Sequence, residues 1–287
     1  DYMVMNPFSA RSYGLDNVQF NDPLDPTEFQ EVNLGLPHAG ILTTTVFLRR
    51  FPTTDTNRNR HRSYMVYKMF LGTDVLEQES SNIDIDAIDG FNPTMYNPVC
   101  TVCHNTLDPM AGSFQNWDHR ARYRPRNNGW YVDMLHPGFE DEMLPYGEHL
   151  DALPWLAQRV ANDPRFAHTT VRTLFKGFTG MELLRAPENS NETHYAQRLR
   201  AFEVQRDYLQ HLKDILEGSN FNIKSVIKDI FLSPFMRASG LVQDLSAERE
   251  IELGSVGSAR LLPPEMLHRK IEATMGTQWR YLYTDTK

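Results

Sequence analysis

Two cysteines and a histidine lie close together near the middle of the chain, at Cys100, Cys103 and His104. The run C-x-x-C-H is the attachment signature of a c-type haem. Each thiol can add to one vinyl group of haem to form a thioether, and the adjacent imidazole can bind the iron as an axial ligand. The motif therefore predicts one covalently attached haem c held by these three residues.

Other sites built on cysteine fit the chain less well. Cys100 and Cys103 are its only cysteines, so there are no further thiolates to complete a structural zinc site. A C-x-x-C redox pair would not need the histidine that follows, and the flanking sequence has no βαβ pattern. A disulfide between the two cysteines is the alternative that remains.

The ligand on the opposite side of the iron would decide the redox chemistry. A thioether raises the reduction potential, a second imidazole lowers it, and an open position admits small ligands. Met143 precedes Pro145 and a predicted amphipathic helix, which is where the methionine ligand lies in many small cytochromes c, so it is the favoured sixth ligand. The alternatives are Met134 first, and then His38, His119 and His136.

Aromatic and basic residues follow the haem motif closely. Trp117 and Tyr123 could form walls around the porphyrin, and Arg120 and Arg122 could pair with its propionates. Arg124 and Arg126 continue the same alternation. A solvated basic loop explains the four arginines equally well.

Composition limits the classes of function. The chain has 287 residues, 40% of them hydrophobic and 23% charged, which is typical of a globular protein with about two or three subdomains. The formal net charge of -8 argues against a nucleic-acid partner and would suit redox partner proteins. No apolar run reaches the length of a membrane span, so we expect no transmembrane segment in this chain.

The expected location follows from the haem. Covalent haem attachment takes place outside the cytoplasm, which predicts a periplasmic, extracellular or cell-surface protein. The first residues, from Asp1 to Pro7, contain neither an initiator methionine nor a signal-peptide pattern. We therefore expect the sequence to start after a removed signal or within a longer protein.

The predicted fold class is mostly α, with a cytochrome c-like haem-binding region between two flanking parts. The predicted regions are an N-terminal loop-rich and helical segment (1–72), a c-type haem-binding domain (73–162), a C-terminal helical domain (163–237), and a linker with a terminal helix (238–287). Apolar periodicity and cap residues predict individual helices within them. These helices cover residues 41–48, 64–71, 150–160, 199–216, 223–231 and 263–275, with a further one that starts at Asp163-Pro164.

The remaining segments are predicted to be irregular. Residues 1–35, 73–99 and 116–146 are rich in turn-forming residues, and residues 238–262 are predicted to be a linker. The acidic stretch 82–90 is similar to an EF-hand loop, but its register places Ile88 where an oxygen ligand is needed and Met95 where a glutamate is needed. We interpret it as a solvated acidic loop.

The haem motif and its flanks also resemble a known family. Residues 100–124, CTVCHNTLDPMAGSFQNWDHRARYR, are similar to the C-x-x-C-H-x-x-x-D-P-x-x-x-x-F-x-x-x-D-x-x-x-R-Y/W motif of the planctomycete-type cytochrome c proteins of bacteria. Weaker similarity extends over residues 1–15, 38–51, 163–180, 222–238 and 260–276. The resemblance implies haem attachment at Cys100, Cys103 and His104 and a longer N-terminal region in full-length relatives. It implies neither a sixth ligand nor a substrate.

Three functional hypotheses remain open from sequence. The first is a monohaem c-type cytochrome that transfers electrons between protein partners outside the cytoplasm. The second is a haem-dependent oxidoreductase, because the chain is longer than one electron relay needs. The third is a structural subunit of a larger surface assembly, in which the C-terminal helices form packing surfaces. The sequence leaves enzyme activity undecided and favours electron transfer over catalysis.

Overall fold

The computed structural model describes residues 2–77, 91–126, 129–238, 245–254, 256 and 264–277. The fold is mostly α-helical, as predicted. The chain forms two compact units, residues 1–170 and residues 171–287. Across the described ranges, no helix combines the length and apolar composition that crossing a membrane requires.

The first 35 residues contain short regular elements that the sequence analysis did not predict. Strand β1 (Met3–Met5) pairs antiparallel with β2 (Gln30–Val32), and helix α1 (Pro7–Ser12) lies between them in the chain. Met5, Ala10 and Val32 form a small core beneath them. The sequence analysis missed the two strands because three residues are too short to show an alternating pattern, whereas the part of residues 2–35 outside β1, α1 and β2 is irregular, as predicted.

The helix predicted over residues 41–48 is instead two short elements. A 3-10 helix covers Gly40–Thr43 and α2 covers Thr45–Arg50. Thr44 has an extended backbone between them, and its side-chain oxygen accepts a hydrogen bond from the backbone N–H of Phe47, which caps α2. Ile41 and Val46 are 60% and 78% exposed, so these two apolar residues of the predicted helix do not contribute to the core.

Three helices build the core of unit 1. These are α3 (Arg60–Phe70), α5 (Pro98–Ser113) and α6 (Ala152–Asn162), and the short α4 (Pro93–Tyr96) packs against α5. The predicted helices over 64–71 and 150–160 are thus confirmed. Their shared core includes these side chains: Leu48, Val66, Tyr67, Met110, Phe114, Leu153 and Leu156.

A β-hairpin approaches the C-terminal half of α5. Strands β3 (Gly138–Phe139) and β4 (Glu142–Met143) pair antiparallel, and a 3-10 helix over Tyr146–Asp151 leads into α6. A Cβ atom on Gly112 of α5 would lie 2.6 Å from the ring of Pro137. Glycine at this position therefore allows the chain before β3 to pack directly on α5.

Helix α7 (Pro164–Thr179) begins where the sequence predicted, after Asp163. The Asp163 carboxylate accepts a hydrogen bond from the backbone N–H of Arg165 at 2.8 Å and pairs with its guanidinium at 2.6 Å. The hydrogen bond from Arg165 lowers the pKa of Asp163. A carboxylate with a lowered folded-state pKa stabilises the fold above its unfolded pKa, and this contribution is lost as the pH falls through the folded pKa.

We therefore expect Asp163→Asn to reduce the free energy of unfolding by about 0.5–1 kcal/mol at neutral pH. Urea unfolding at a series of pH values would measure the effect. The difference between variant and wild type should shrink as the pH falls from about 4, the unfolded pKa, towards the lowered pKa of Asp163 in the folded protein. A constant difference across that range would contradict the role assigned to the charge.

Unit 2 is helical. Its further helices are α8 (Tyr195–Gly218), α9 (Ile223–Leu232), α10 (Pro234–Arg237), α11 (Ala247–Leu253) and α12 (Pro264–Met275). Helix α8 packs against α9 and α11 beside an aromatic cluster. Phe175, Tyr208 and Phe235 contact one another edge-on or tilted. The predicted helices over 199–216, 223–231 and 263–275 are confirmed.

Helix α11 corrects the predicted linker over residues 238–262 at positions 247–253, while residues 239–244, 255 and 257–262 lie outside the described residues. Its Glu252 is buried and pairs with Arg200 of α8 at 2.7 Å and with Arg249 at 2.6 Å. The sequence of α11, AEREIEL, carries too few apolar residues to show a helical pattern. Helix α11 is attached to α8 by the ion pair between Glu252 and Arg200.

The predicted regional boundaries differ from the observed units. The sequence analysis placed boundaries after residues 72, 162 and 237, whereas the observed units meet between residues 170 and 171, within α7. Residues 1–72 belong to the same compact unit as the C-x-x-C-H motif, because α3 packs against α5. Such contacts between distant segments leave no trace in local composition.

Candidate haem attachment site

The C-x-x-C-H motif lies in the first two turns of α5. The side chain of Asn97 caps this helix by accepting a hydrogen bond from the backbone N–H of Val99 at 2.9 Å, and Pro98 occupies the first helical position. Residues three and four apart share one helix face, so Cys100, Cys103 and His104 lie on the same face of α5. The helix thus presents two thiols and an imidazole together.

All three motif side chains are partly exposed. Cys103 packs against the core of unit 1, with its sulfur 4.0 Å from the carbonyl oxygen of Val75. No disulfide joins Cys100 and Cys103, and the His104 side chain is 22% exposed. The thiols and the imidazole are accordingly accessible to a cofactor that approaches this face. The acidic stretch 82–90, interpreted above as a solvated loop, falls outside the described residues.

His104 is held by a buried carboxylate one turn further along α5. The distance from Nδ1 of His104 to Oδ1 of Asp108 is 2.9 Å, and the Asp108 side chain is fully buried. Arg60 of α3 binds the same carboxylate with two hydrogen bonds, from Nε to Oδ1 at 2.6 Å and from its terminal nitrogen to Oδ2 at 2.9 Å. The three residues form a chain of charge-assisted contacts, called below the Arg60–Asp108–His104 triad.

The ionisation of Asp108 fixes the tautomer of His104. Burial by itself raises the pKa of Asp108, but hydrogen bonds from Arg60 and His104 outweigh it and hold the pKa below its usual value. An ionised carboxylate only accepts hydrogen bonds, so Nδ1 of His104 must be the donor. In a neutral imidazole the lone pair then resides on Nε2, which is the atom a metal ligand needs.

The donor set suits haem c. Two thiols three residues apart can form the two thioethers, and the adjacent imidazole has its second nitrogen occupied by a partner of the kind that metal-bound histidines use. Within the described ranges, no three His, Cys, Asp or Glu side chains cluster as an ion site. A haem iron takes four of its ligands from the porphyrin, so it does not require such a cluster.

The structure places the candidate sixth ligands in different environments. Met143 lies on β4 with its side chain 63% exposed, whereas Met134 is only 4% exposed. Among the histidines, His38 binds the hydroxyl of Thr43 at 2.8 Å through Nδ1, and burial lowers its pKa. His119 is exposed, and Nδ1 of the exposed His136 lies 2.9 Å from the carbonyl oxygen of Pro137.

Two of these candidates line one cavity. Met134 and His136 contribute to the wall of a cavity of about 400 Å³ in unit 1. Its wall also contains Gln115, Trp130, Tyr131, Tyr146 and His149. The guanidinium groups of Arg58 and Arg126 each lie 4.2 Å from the ring centroid of Tyr131, so cation–π contacts fix this side chain.

The aromatic and basic residues predicted to surround the haem form a separate group. Trp117 is buried in the core and meets Tyr123 edge-on at 5.5 Å between ring centroids. Arg122 pairs with Asp118 at 2.8 Å, and Arg120 is exposed. Trp117 and Tyr123 thus contact each other, and Arg122 contacts Asp118. That these side chains also contact haem stays a prediction.

Sequence reasoning assigned no role to two members of the triad, although the motif of the resembling family includes Asp108. Asp108 was detectable in principle, because it lies four residues after His104 and thus on a neighbouring part of the same helix face. Arg60 is 48 residues away from Asp108, and no local pattern identifies it as the partner. Only the packing of α3 against α5 brings the two together.

Comparisons with known proteins found no relative of this chain. No protein-family model, no curated protein and no solved structure matches it. The resemblance to planctomycete-type cytochrome c proteins therefore stays a prediction that depends on the motif residues.

Proposed function

We propose that unit 1 is a monohaem c-type cytochrome domain that transfers electrons between protein partners outside the cytoplasm. The observation that carries the proposal is the common helix face of Cys100, Cys103 and His104, with Nδ1 of His104 bonded to Asp108. When bound, haem would supply an iron that cycles between the ferrous and ferric states. The chain would supply the two thioether sulfurs and one axial nitrogen.

The residues around the motif have defined tasks in this proposal. The hydrogen bond to Asp108 holds the imidazole of His104 in one orientation, and the salt bridge to Arg60 holds Asp108. Packing of Cys103 against the core fixes one side of the attachment face. A site held in this way changes little between oxidation states, which favours fast electron exchange with a partner protein.

The proposed location and partners follow from the cofactor. Thioether formation takes place outside the cytoplasm, which supports a periplasmic, extracellular or cell-surface location. The net charge of -8 favours a redox partner with a basic docking face. Association with such a partner should weaken as the salt concentration rises, because salt screens charges on exposed surfaces.

Spectra of the holoprotein would distinguish electron transfer from oxidoreductase activity. We expect a six-coordinate, low-spin ferric spectrum that does not change on addition of cyanide, together with a reversible one-electron redox titration. A five-coordinate, high-spin spectrum with turnover of peroxide would contradict the electron-transfer proposal and support a haem-dependent oxidoreductase.

The exposed side chain of Met143 is available to an incoming cofactor without repacking, which keeps it the first candidate for the sixth ligand. We expect the oxidised protein to show a weak sulfur-to-iron charge-transfer band in the far red, and Met143→Ala to abolish it. The reduction potential should fall in this variant because the iron loses a soft ligand that favours the ferrous state. The stability of the haem-free chain should change by less than about 0.5 kcal/mol, because the side chain is exposed there.

Met134→Ala is the matched control for this prediction. Because Met134 is buried, we expect the control to lower the free energy of unfolding by about 2–4 kcal/mol while the charge-transfer band remains. Loss of the band in Met134→Ala and its retention in Met143→Ala would transfer the role to Met134. If the band is absent from the wild type, a histidine is implicated and His38 is the first to replace.

A further inference from the structure

The Arg60–Asp108–His104 triad is the most strongly built polar cluster near the haem motif. Asp108 is fully buried, and both its oxygens accept charge-assisted hydrogen bonds from Arg60 while Oδ1 also accepts one from His104. A buried charge is expensive unless it is paired, so this arrangement stabilises an ionised carboxylate directly behind His104. Surface ion pairs elsewhere in the chain have no such consequence for the motif.

A carboxylate behind a metal-bound imidazole changes the imidazole's chemistry. It accepts the Nδ1 proton more strongly than a neutral carbonyl does, and this pushes electron density towards Nε2. Greater donation from Nε2 favours the more positive oxidation state of a bound metal. Burial increases the effect because water does not screen the contact between His104 and Asp108.

From this geometry we propose that Asp108 is a positioning residue that lowers the reduction potential of the haem by acting through His104. The inference rests on the haem site proposed above. Arg60 moderates the effect, since it shares Oδ1 of Asp108 with His104 and partly neutralises the carboxylate. In this proposal the C-x-x-C-H motif attaches the haem, and the Arg60–Asp108–His104 triad tunes its reduction potential.

The test is a spectroelectrochemical titration of the holoprotein and two variants. Asp108→Asn keeps the shape and an oxygen acceptor for Nδ1 but removes the charge. Asp133→Asn is the control. Asp133 pairs with Arg58 at 2.6 Å, and this hydrogen bond lowers the pKa of Asp133, with a smaller contribution from the charge of Arg60. The control thus removes a carboxylate that interacts with Arg60 without touching His104.

We expect Asp108→Asn to raise the ratio of ferrous to ferric haem at a fixed potential by at least about tenfold, equivalent to about 59 mV for a one-electron couple. The control should change this ratio by less than about threefold. A shift in Asp108→Asn no larger than that of the control would overturn the inference while leaving the haem proposal intact. A wild-type protein without covalent haem would instead overturn the proposed function itself.

A second measurement on the wild type covers the case in which Asp108→Asn does not fold. In the reduced, diamagnetic holoprotein, the Nδ1 proton of His104 should exchange slowly with deuterated solvent, because its acceptor is fully buried. Rapid exchange of that proton would show that the hydrogen bond to Asp108 is not maintained in the haem-bound state. That result would also overturn the inference.

Discussion

Arg62→Met is expected to lower the free energy of unfolding by about 3–5 kcal/mol. Arg62 is a fully buried side chain of unit 1, and its guanidinium donates hydrogen bonds to four backbone carbonyls and one side-chain amide. The acceptors are the carbonyls of Leu48, Phe51, Trp117 and Asp118 and the side chain of Asn59. Methionine would fill part of the space but leave these buried acceptors without donors.

The charge on Arg62 persists at neutral pH. Burial lowers its pKa to about 10, and the Asp118 carboxylate opposes this shift. Urea unfolding followed by circular dichroism would measure the loss of stability, with Arg120→Met as the matched control on an exposed arginine. We expect the control to change stability by less than about 0.5 kcal/mol. An equally small effect for Arg62→Met would contradict the conclusion that Arg62 stabilises unit 1 by joining the chain segments whose carbonyls it binds.

Arg60→Met is expected to destabilise the fold by a similar amount, about 3–5 kcal/mol, for a different reason. The Arg60 side chain is 19% exposed and its partner Asp108 is fully buried, so the substitution leaves the charge of Asp108 in the core without its arginine partner. The contact between Asp108 and His104 compensates only part of that charge. The same unfolding experiment applies.

The double variant Arg60→Met, Asp108→Asn separates the charge from the lost contacts. Removing both charges should recover most of the stability lost in Arg60→Met, since no ionised group then remains unpaired in the core. A double-mutant cycle with both single variants measures the coupling energy. Additive effects of the two substitutions would show that the salt bridge does not determine the cost.

Local signals in the sequence located most of the helices of the fold. Asp163-Pro164 marked the start of α7, and the helix predicted over 223–231 ends at Leu232, directly before Ser233-Pro234, because caps and prolines act within one turn of their own position. The break at Thr44 was missed, although its cap is also local, because the apolar pattern of residues 41–48 continues through it. Helix α11 was missed because its sequence has almost no apolar pattern.

For the site, the sequence identified the groups that would react with haem but not those that hold them. The spacing of Cys100, Cys103 and His104 places them on one face of any helix that carries them, but the sequence analysis did not predict the helix Pro98–Ser113 itself. Arg60 meets Asp108 across 48 residues, and Arg62 bonds to carbonyls up to 56 residues away. An arginine in a helix is normally exposed, so neither burial nor partner could be inferred before the packing of α3 on α5 was known.

The most direct test of the account is a pyridine haemochrome spectrum combined with haem staining after denaturing electrophoresis. The protein should be produced with a c-type maturation system and compared with Cys100→Ser, Cys103→Ser and the double variant. We predict one haem per chain that stays with the wild-type polypeptide, and a haemochrome band displaced to longer wavelength in each single variant because one vinyl group remains unsaturated. The double variant should lose all covalently retained haem. A wild-type protein band that carries no haem stain after denaturing electrophoresis would contradict the account.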